Sequence, residues 1–209
     1  MTSWLTRIDM NARNGAARAD LGNTAGLHRR IMSLFPDHTG EEPRDFYRIL
    51  HRLDIDTSGP RLLVQAGTEP QLDRLPDGYG TTAITDLDRL FERLALGQTV
   101  RYRILLNATK KVAKGEQAGK RIALGAPDTI TWWDTRATAN GLQLSGDPTL
   151  TASSLTGREP GGNKVTFKPW RLDGVANITN PDSVREFIVN GIGKGRAFGC
   201  GLLSVAVID

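Results

Sequence analysis

Residues 181–208 read PDSVREFIVNGIGKGRAFGCGLLSVAVI, and this segment decides which class of mixed fold the chain can form. Pro181 suits the first turn of a helix that continues to Asn190, and Gly191 suits the position just beyond its end. A glycine-rich loop and a final strand from Leu202 to Ile208 follow. A dinucleotide-binding fingerprint requires the opposite order, in which a strand leads through a glycine turn into a helix. The segment therefore excludes a Rossmann-type cofactor site.

The glycine loop itself has five glycines among the eleven residues from Gly191 to Gly201. It carries Lys194 and Arg196, and the Walker pattern G-x-x-x-x-G-K-[ST] occurs nowhere in the chain. One interpretation is a loop that lets its backbone approach another backbone closely while presenting two cations. The alternative is a tight structural connection whose charges are incidental, and the glycine content favours the first interpretation.

Hydrophobic periodicity predicts a mixed order of elements in the first half of the chain. The expected elements are a strand at Ser3–Met10, a helix at Thr24–Phe35, strands at Phe46–Leu53 and Arg61–Ala66, and a helix at Asp86–Leu96. Asn23 or Thr24 is suited to cap the first helix, and Pro36 follows its end. A short strand within residues 76–85 would complete a β-α-β-β-α-β set.

The second half repeats this order. The expected elements are strands at Val100–Leu106 and Arg121–Leu124, a helix at Asp128–Ala139, a strand at Leu142–Leu144, a hairpin of Lys164–Phe167 with Leu172–Ile178, and the terminal helix and strand. Residues 145–163 are rich in Gly, Pro, Ser and Thr and are expected to form a mobile loop or hairpin tip. The fold class predicted is α+β, with two tandem ferredoxin-like β-α-β-β-α-β domains at residues 1–97 and 98–209.

Positive charge is concentrated in the second half. Residues 1–100 hold 12 Arg and no Lys against 14 acidic residues, whereas residues 101–209 hold 15 Lys and Arg against 9 acidic residues. Seven of these cations lie within residues 101–125, where Glu116 is the one acidic residue. An excess of this kind suits a polyanion, whose binding releases counterions. A solvated charged surface is the alternative.

Several classes of protein are excluded by composition. Cys200 is the one cysteine, so neither an intrachain disulfide nor a cysteine-rich zinc site is expected, which fits a reducing cytoplasm. No stretch approaches the roughly 20 apolar residues that span a bilayer, and residues 1–13 lack the apolar centre of a signal peptide. We therefore expect a cytoplasmic protein with no membrane partner and no cofactor.

The three histidines do not form a metal-binding pattern such as H-E-x-x-H, so no metal site is predicted. His38 is expected in a surface loop. His51 is expected in a strand between Arg48 and Arg52, where it could be structural or could face RNA.

His28 follows the core residue Leu27 and lies at the edge of the apolar stripe of its helix. A lone histidine there is more often structural, but Arg29 and Arg30 beside it favour a nearby phosphate. An imidazole, with an ordinary pKa near 6.5, suits proton transfer at neutral pH.

Four motifs together carry a resemblance to a known family. They are LHRRIMSLFP (27–36), RILLNATKK (103–111), GKRIAL (119–124) and GIGKGRAFGCGLLSVA (191–206). In this order they resemble the CasE family, the CRISPR repeat-processing endoribonucleases of the type I-E Cascade complex. The resemblance implies two ferredoxin-like domains, metal-independent cleavage at the base of a repeat hairpin, and a product that stays bound within Cascade beside its other subunits.

The resemblance also assigns roles to residues. His28 matches the catalytic histidine, whereas the tyrosine that some members have three residues earlier is Ala25 here, and Tyr47, Tyr79 and Tyr102 are not assigned to its role. The RNA-gripping hairpin of the family corresponds to Arg158, Lys164 and Lys168. The further RNA-binding candidates are Arg29, Arg30, Lys110, Lys111, Lys120, Arg121, Lys194 and Arg196.

The expected reaction is attack by the RNA's own 2′-hydroxyl on the adjacent phosphorus, which leaves a 2′,3′-cyclic phosphate and a 5′-hydroxyl. His28 would act as the base or as the acid, and the sequence does not choose between the two. One rival is a non-catalytic RNA-binding module with paired RRM-like folds, although the aromatic RNP signature is absent. Another is a small-molecule enzyme on the same scaffold, although no cofactor motif is present.

Overall fold

The computed structural model describes residues 3–37, 43–115, 118–158 and 164–208. These residues form two larger antiparallel sheets with helices packed on them and two separate two-stranded sheets, so the α+β class is confirmed. Within the described ranges the longest helix has 14 residues, and none is long and apolar enough to cross a membrane. His38, expected in a surface loop, lies outside the described residues.

The first sheet has the strand order β2-β3-β1-β4, which is the ferredoxin-like order. Its elements are β1 (Trp4–Met10), α1 (Gly15–Leu21), α2 (Thr24–Met32), α3 (Pro43–Phe46), β2 (Leu50–Asp56), β3 (Gly59–Ala66) and β4 (Gly80–Asp86). One face of this sheet packs against α1 and α2 through a core that includes Ile8, Ala17, Leu27, Ile31 and Val64. The central strand β1 is paired on both edges, which fixes the register of this half.

The second sheet has the order β13-β5-β12-β8 and the same ferredoxin-like topology. Its elements, after α4 (Asp88–Arg93), are β5 (Thr99–Leu106), β6 (Thr109–Lys111), β7 (Arg121–Ala123), α5 (Ala126–Ala139), β8 (Leu142–Leu144), β9 (Thr149–Ala152), β10 (Leu155–Arg158), β11 (Lys164–Phe167), β12 (Trp170–Ile178), α6 (Pro181–Asn190) and β13 (Leu203–Val207). Trp133, Phe187 and Ile104 are central to its core. The hairpins β6–β7 and β10–β11 are additions outside this sheet.

The first half departs from the predicted order at its second helix. Between β3 and β4 there is only a 3-10 turn at Leu72–Arg74, because Pro70 and Pro76 leave too few residues for a stable helix. The helix predicted at Asp86–Leu96 is the shorter α4, which follows β4. Its flanking residues Leu87 and Leu94 pack into the second core, not the first. The boundary near Gly97 stays a prediction.

Two other local predictions were wrong, and one helix was not predicted. The strand expected from Phe46 begins only at Leu50, because residues 43–46 are helical and Arg48 has a φ of +52°. Helix α1 was not predicted at all. The hairpin expected between 164–167 and 172–178 does not form, because β12 is already paired with β5 on one edge and with β8 and β9 on the other. Strand β11 pairs instead with β10, which lies in the segment expected to form a mobile loop or hairpin tip.

A buried arginine joins the two halves. Arg52, on β2, is only 2% exposed, and its Nε and Nη2 donate to the Asp54 carboxylate at 2.9 and 3.0 Å. Its Nη1 donates to the carbonyl oxygens of Arg103 and Leu202, both at 3.1 Å. Gln65 adds a second connection, since its amide donates to the carbonyl oxygen of Ile188 at 2.8 Å. Asp54, in the first half, therefore balances the charge of Arg52. The Nη1 group of Arg52 binds the backbone of the second half.

We expect Asp54→Asn to lower the free energy of unfolding by about 3 kcal/mol, because a buried guanidinium would lose its counter-charge. The matched control is Asp9→Asn, which breaks the pairs of Asp9 with Arg7 and Arg61, whose side chains are 52% and 36% exposed. The control should cost much less, because exposed ion pairs are screened by solvent. Urea unfolding of both variants measures the difference, and equal losses would show that the buried pair does not stabilise the fold in this way.

Candidate active site

Helix α2 places His28 at the rim of the first core. The side chain of Asn23 caps the helix by accepting from the backbone N–H groups of Ala25 and Gly26 at 3.1 and 3.2 Å, as predicted from sequence. Leu27 and Ile31 face the core and are buried, whereas His28 is half-buried and Arg29 is exposed. The imidazole is thus held by a capped, packed helix while part of it remains accessible, which is what a proton-transfer group needs.

The glycine loop packs against β5 of its own half and against Leu50 of the first half. Gly201 donates its N–H to the carbonyl oxygen of Leu105 at 2.8 Å and accepts from Ile192 N–H at 3.0 Å. A Cβ on Gly201 would lie 2.3 Å from the oxygen of Ile192, and one on Gly191 would lie 2.7 Å from the Leu50 side chain. These two glycines therefore serve close packing within the protein. That outcome matches the structural interpretation for this part of the loop.

His51 lies next to His28. The two ring centroids are 6.3 Å apart and the rings are inclined by 36°. His51 is 3% exposed on β2, and a Cβ on Gly199 would be 3.4 Å from its Nε2. The structure therefore places His51 between the glycine loop and His28, where its packing restricts the orientation of the accessible imidazole. It is too buried to face RNA itself.

The hairpin of β10 and β11 closes over the same region. The hydroxyl of Thr24, in the first turn of α2, donates to the carbonyl oxygen of Thr156 on β10. The ring of Phe167, at the end of β11, packs on Phe198 of the glycine loop with centroids 4.7 Å apart. The hairpin thus touches both α2 and the glycine loop, so three elements distant in sequence meet around His28.

The cations predicted for this hairpin lie along it. Arg158 on β10 is the register partner of Lys164 on β11, and Lys168 is exposed just after Phe167. A cleft of about 330 Å³ opens between the hairpin and the first half, lined in part by Thr24, Asp54 and Thr156.

The hairpin of β6 and β7 carries a second group of predicted cations. Lys110, Lys111, Lys120 and Arg121 are all exposed, and Lys111 is the register partner of Arg121. Lys110 makes one exposed contact, with Asp128 at 3.4 Å. The backbone of Lys194 bridges that of Asn107, which places the glycine loop beside the start of this hairpin. This hairpin therefore starts beside the glycine loop, whose Gly199 packs on His51.

Arg30 differs from the other predicted RNA-binding residues. Its Nε donates to Asp20 at 3.0 Å, and its guanidinium lies 5.8 Å from the centre of the Tyr79 ring. This side chain is committed to holding α1 and α2 together. Arg196 is also partly committed, since its Nη1 donates to the carbonyl oxygen of Asn190 at 3.2 Å.

None of the three tyrosines lies on the open surface of the site. Tyr47 donates to the carbonyl oxygen of Pro36 at 3.2 Å, and Tyr79 donates to Asp20 at 3.0 Å. Burial raises the pKa of Tyr79 and of Tyr102, so both hydroxyls stay protonated. No tyrosine therefore takes the role that Ala25 leaves open.

The described residues support neither a metal site nor a cysteine nucleophile. Across the described parts of the chain, no three His, Cys, Asp or Glu side chains come together as a metal site. The Cys200 thiol is buried, and burial raises its pKa to about 12, so it is not a ready nucleophile.

Comparison with known proteins gives matches over almost the whole chain. A family model described as "CRISPR associated protein" matches residues 3–206. The CRISPR-associated endoribonuclease Cse3 of Thermus thermophilus is 30% identical over 217 residues, covering 97% of this chain and 99% of the relative.

Solved structures share the fold. CRISPR endoribonuclease Cse3 bound to a 19-nucleotide RNA matches with a TM-score of 0.82 and 28% identity, covering 99% of this chain and 100% of that one. A chain of a CRISPR RNA-guided surveillance complex in a pre-nicking state matches with a TM-score of 0.75 and 36% identity, covering 98% and 100%. Since the family model and the relative both match nearly its full length, this chain belongs to the family of CRISPR-associated proteins.

Proposed function

We propose that the chain is an endoribonuclease that binds the hairpin of CRISPR repeat RNA and cuts precursor RNA at the base of the stem without a metal ion. The observation that carries the proposal is the position of His28, half-buried on a capped helix where α2, the glycine loop and the β10–β11 hairpin meet. The names of its relatives, an endoribonuclease and an RNA-bound form of it, support the same activity.

The reaction needs an in-line pose, a proton acceptor and stabilisation of charge on the phosphoryl group. The 2′-hydroxyl oxygen attacks the adjacent phosphorus while the bond to the 5′-oxygen breaks, giving a 2′,3′-cyclic phosphate and a 5′-hydroxyl. His28 takes the proton from the 2′-hydroxyl or gives one to the leaving oxygen. Arg29, exposed beside it, is the nearest candidate in sequence for steadying the phosphoryl charge.

The partners follow from the same arrangement. The exposed cations of the β6–β7 hairpin, with Lys194, suit the phosphates of a stem. We propose that the β10–β11 hairpin, with its predicted RNA-binding residues Arg158, Lys164 and Lys168, contacts the same RNA. We propose that the product stays bound and that the protein acts in the cytoplasm as a Cascade subunit, as its likeness to a surveillance-complex chain supports. Residues 1–97 and 98–209 would then be the two domains that hold the RNA between them.

His28→Ala should lower the single-turnover cleavage rate of a repeat hairpin by about 10²- to 10⁴-fold, because a proton-transfer group is lost. Hairpin affinity and the melting temperature should stay near those of the wild type, and the wild type should cleave in excess EDTA. His28→Gln keeps a polar side chain of similar reach but does not transfer protons at neutral pH. It should therefore lose cleavage as His28→Ala does. A folded, RNA-bound His28→Ala that cleaves at the wild-type rate would remove His28 from the mechanism.

Replacing both Lys111 and Arg121 with alanine should weaken hairpin binding and reduce its salt dependence. The slope of log affinity against log salt should fall by up to about 0.9 for each phosphate that the variant no longer neutralises. The matched control replaces Arg13 and Arg89, two exposed arginines of the first half, and should leave the slope unchanged. An equal slope in both pairs would mean that the cations of this hairpin are only solvated.

A further inference from the structure

A cavity of about 290 Å³ opens where the first half meets α6 and the glycine loop. Arg48 and Leu50 line it from the first half, and Asn190 and Arg196 line it from the second. Asp45 is the one acidic residue in its lining, so the cavity has an excess of positive charge. Two arginines that line one small cavity are suited to a phosphate, which each guanidinium can bind with paired N–H donors.

The backbone at Arg48 is strained. Arg48 is the one residue other than glycine with a positive φ, +52°, in the part of the chain that the structure describes. Its N–H donates to the carbonyl oxygen of Asp45 at 3.2 Å, and the adjacent Tyr47 carbonyl accepts from Gly67 at 2.8 Å, so the turn is fixed on both sides. Glycine or asparagine would adopt this conformation at lower cost. A long cationic side chain at this position therefore indicates a use for the guanidinium that outweighs the strain.

Arg196 is held in place from the other side. It begins the 3-10 turn Arg196–Phe198, which is bracketed by Gly195 and Gly199 with φ values of +84° and +90°. The hydrogen bond from its Nη1 to Asn190 fixes one edge of the guanidinium. The guanidinium of Arg196 is therefore held in a fixed position, and its remaining N–H donors are held with it.

The cavity is close to the proposed cleavage site. Arg48 precedes His51 by three residues, so their Cα atoms are at most about 11 Å apart. Gly199, three residues after Arg196, packs on the His51 ring. A volume of about 290 Å³ does not admit a base-paired stem, whereas one unpaired nucleotide fits a space of that order.

We propose that Arg48 and Arg196 form a subsite for the phosphodiester of an unpaired nucleotide that adjoins the cleaved bond. The subsite rests on the proposed function, because it places RNA across His28. It would hold the strand that leaves the stem and so help to set the scissile bond in line.

The test compares Arg48→Gly with the wild type on two RNAs: the repeat hairpin with unpaired nucleotides on both sides of the cleavage site, and the stem-loop alone. Affinity for the flanked RNA should fall about tenfold, while affinity for the stem-loop changes less than twofold. The melting temperature should stay the same or rise, because glycine relieves the strain. Arg48→Asn, which also tolerates this backbone, should behave in the same way.

Arg196→Gln provides the second arm. If both arginines bind one phosphate, the double variant should lose less affinity for flanked RNA than the product of the two single losses. Unchanged affinity of Arg48→Gly and Arg48→Asn for flanked RNA, or an equal loss for both RNAs, would overturn the subsite. Failure of the wild type to bind either RNA would instead overturn the proposed function, so the two failures are distinguishable.

Discussion

The buried guanidinium of Arg52 is the interaction on which the arrangement of the two halves depends. Desolvating a guanidinium is costly unless its donors are satisfied. Here the Asp54 carboxylate lies on the same strand, and two backbone carbonyls come from β5 and from the segment just before β13. Because these partners occupy fixed positions in the second sheet, the first half can dock in only one way that satisfies Arg52. That docking brings α2 and the glycine loop to the same edge of the protein.

Strand β2 is therefore the element that organises the site. The side chain of Leu50 packs against Gly191. His51 packs between Gly199 and His28, and Arg52 binds the second sheet. Successive side chains of a strand point to opposite faces, and both faces of β2 are covered here, so neighbouring residues serve different contacts. The glycines with positive φ allow the loop to follow β2 closely, and its cations remain at the rim.

Local sequence patterns predicted most of the elements but not how they meet. Helix α6, with Pro181 at its start and Gly191 at its end, and the short strand Leu142–Leu144 were predicted correctly because their signals are local. The β10–β11 hairpin was expected only from the family resemblance. Hydrophobic patterns alone paired β11 with β12, because they do not show that β12 is already occupied by three other strands. The proximity of His51 to His28 also has no local signal, since it arises from a crossover through α2 and from the packing of a loop almost 150 residues away.

Among the candidate site residues, too, the sequence predicted some roles, whereas other contacts are visible only in the structure. The family resemblance singled out His28, and the structure places it at the junction of three elements. The two arginines that follow His28, Arg29 and Arg30, were both predicted to contact RNA. Arg30 instead pairs with Asp20, ten residues away, and no periodicity in the sequence indicates this partner. The strain at Arg48 is visible only in the backbone, because the sequence contains none of the usual turn residues at that position.

The most direct test of the central claim is single-turnover cleavage of a repeat hairpin with a 2′-deoxy sugar at the nucleotide before the cleaved bond, in excess EDTA. The mechanism predicts that this RNA binds as tightly as the all-ribose hairpin and is not cleaved, because the nucleophile is missing. The all-ribose hairpin should yield a 2′,3′-cyclic phosphate. Cleavage of the 2′-deoxy RNA at a comparable rate would contradict the account, since the attacking group would then have to be water.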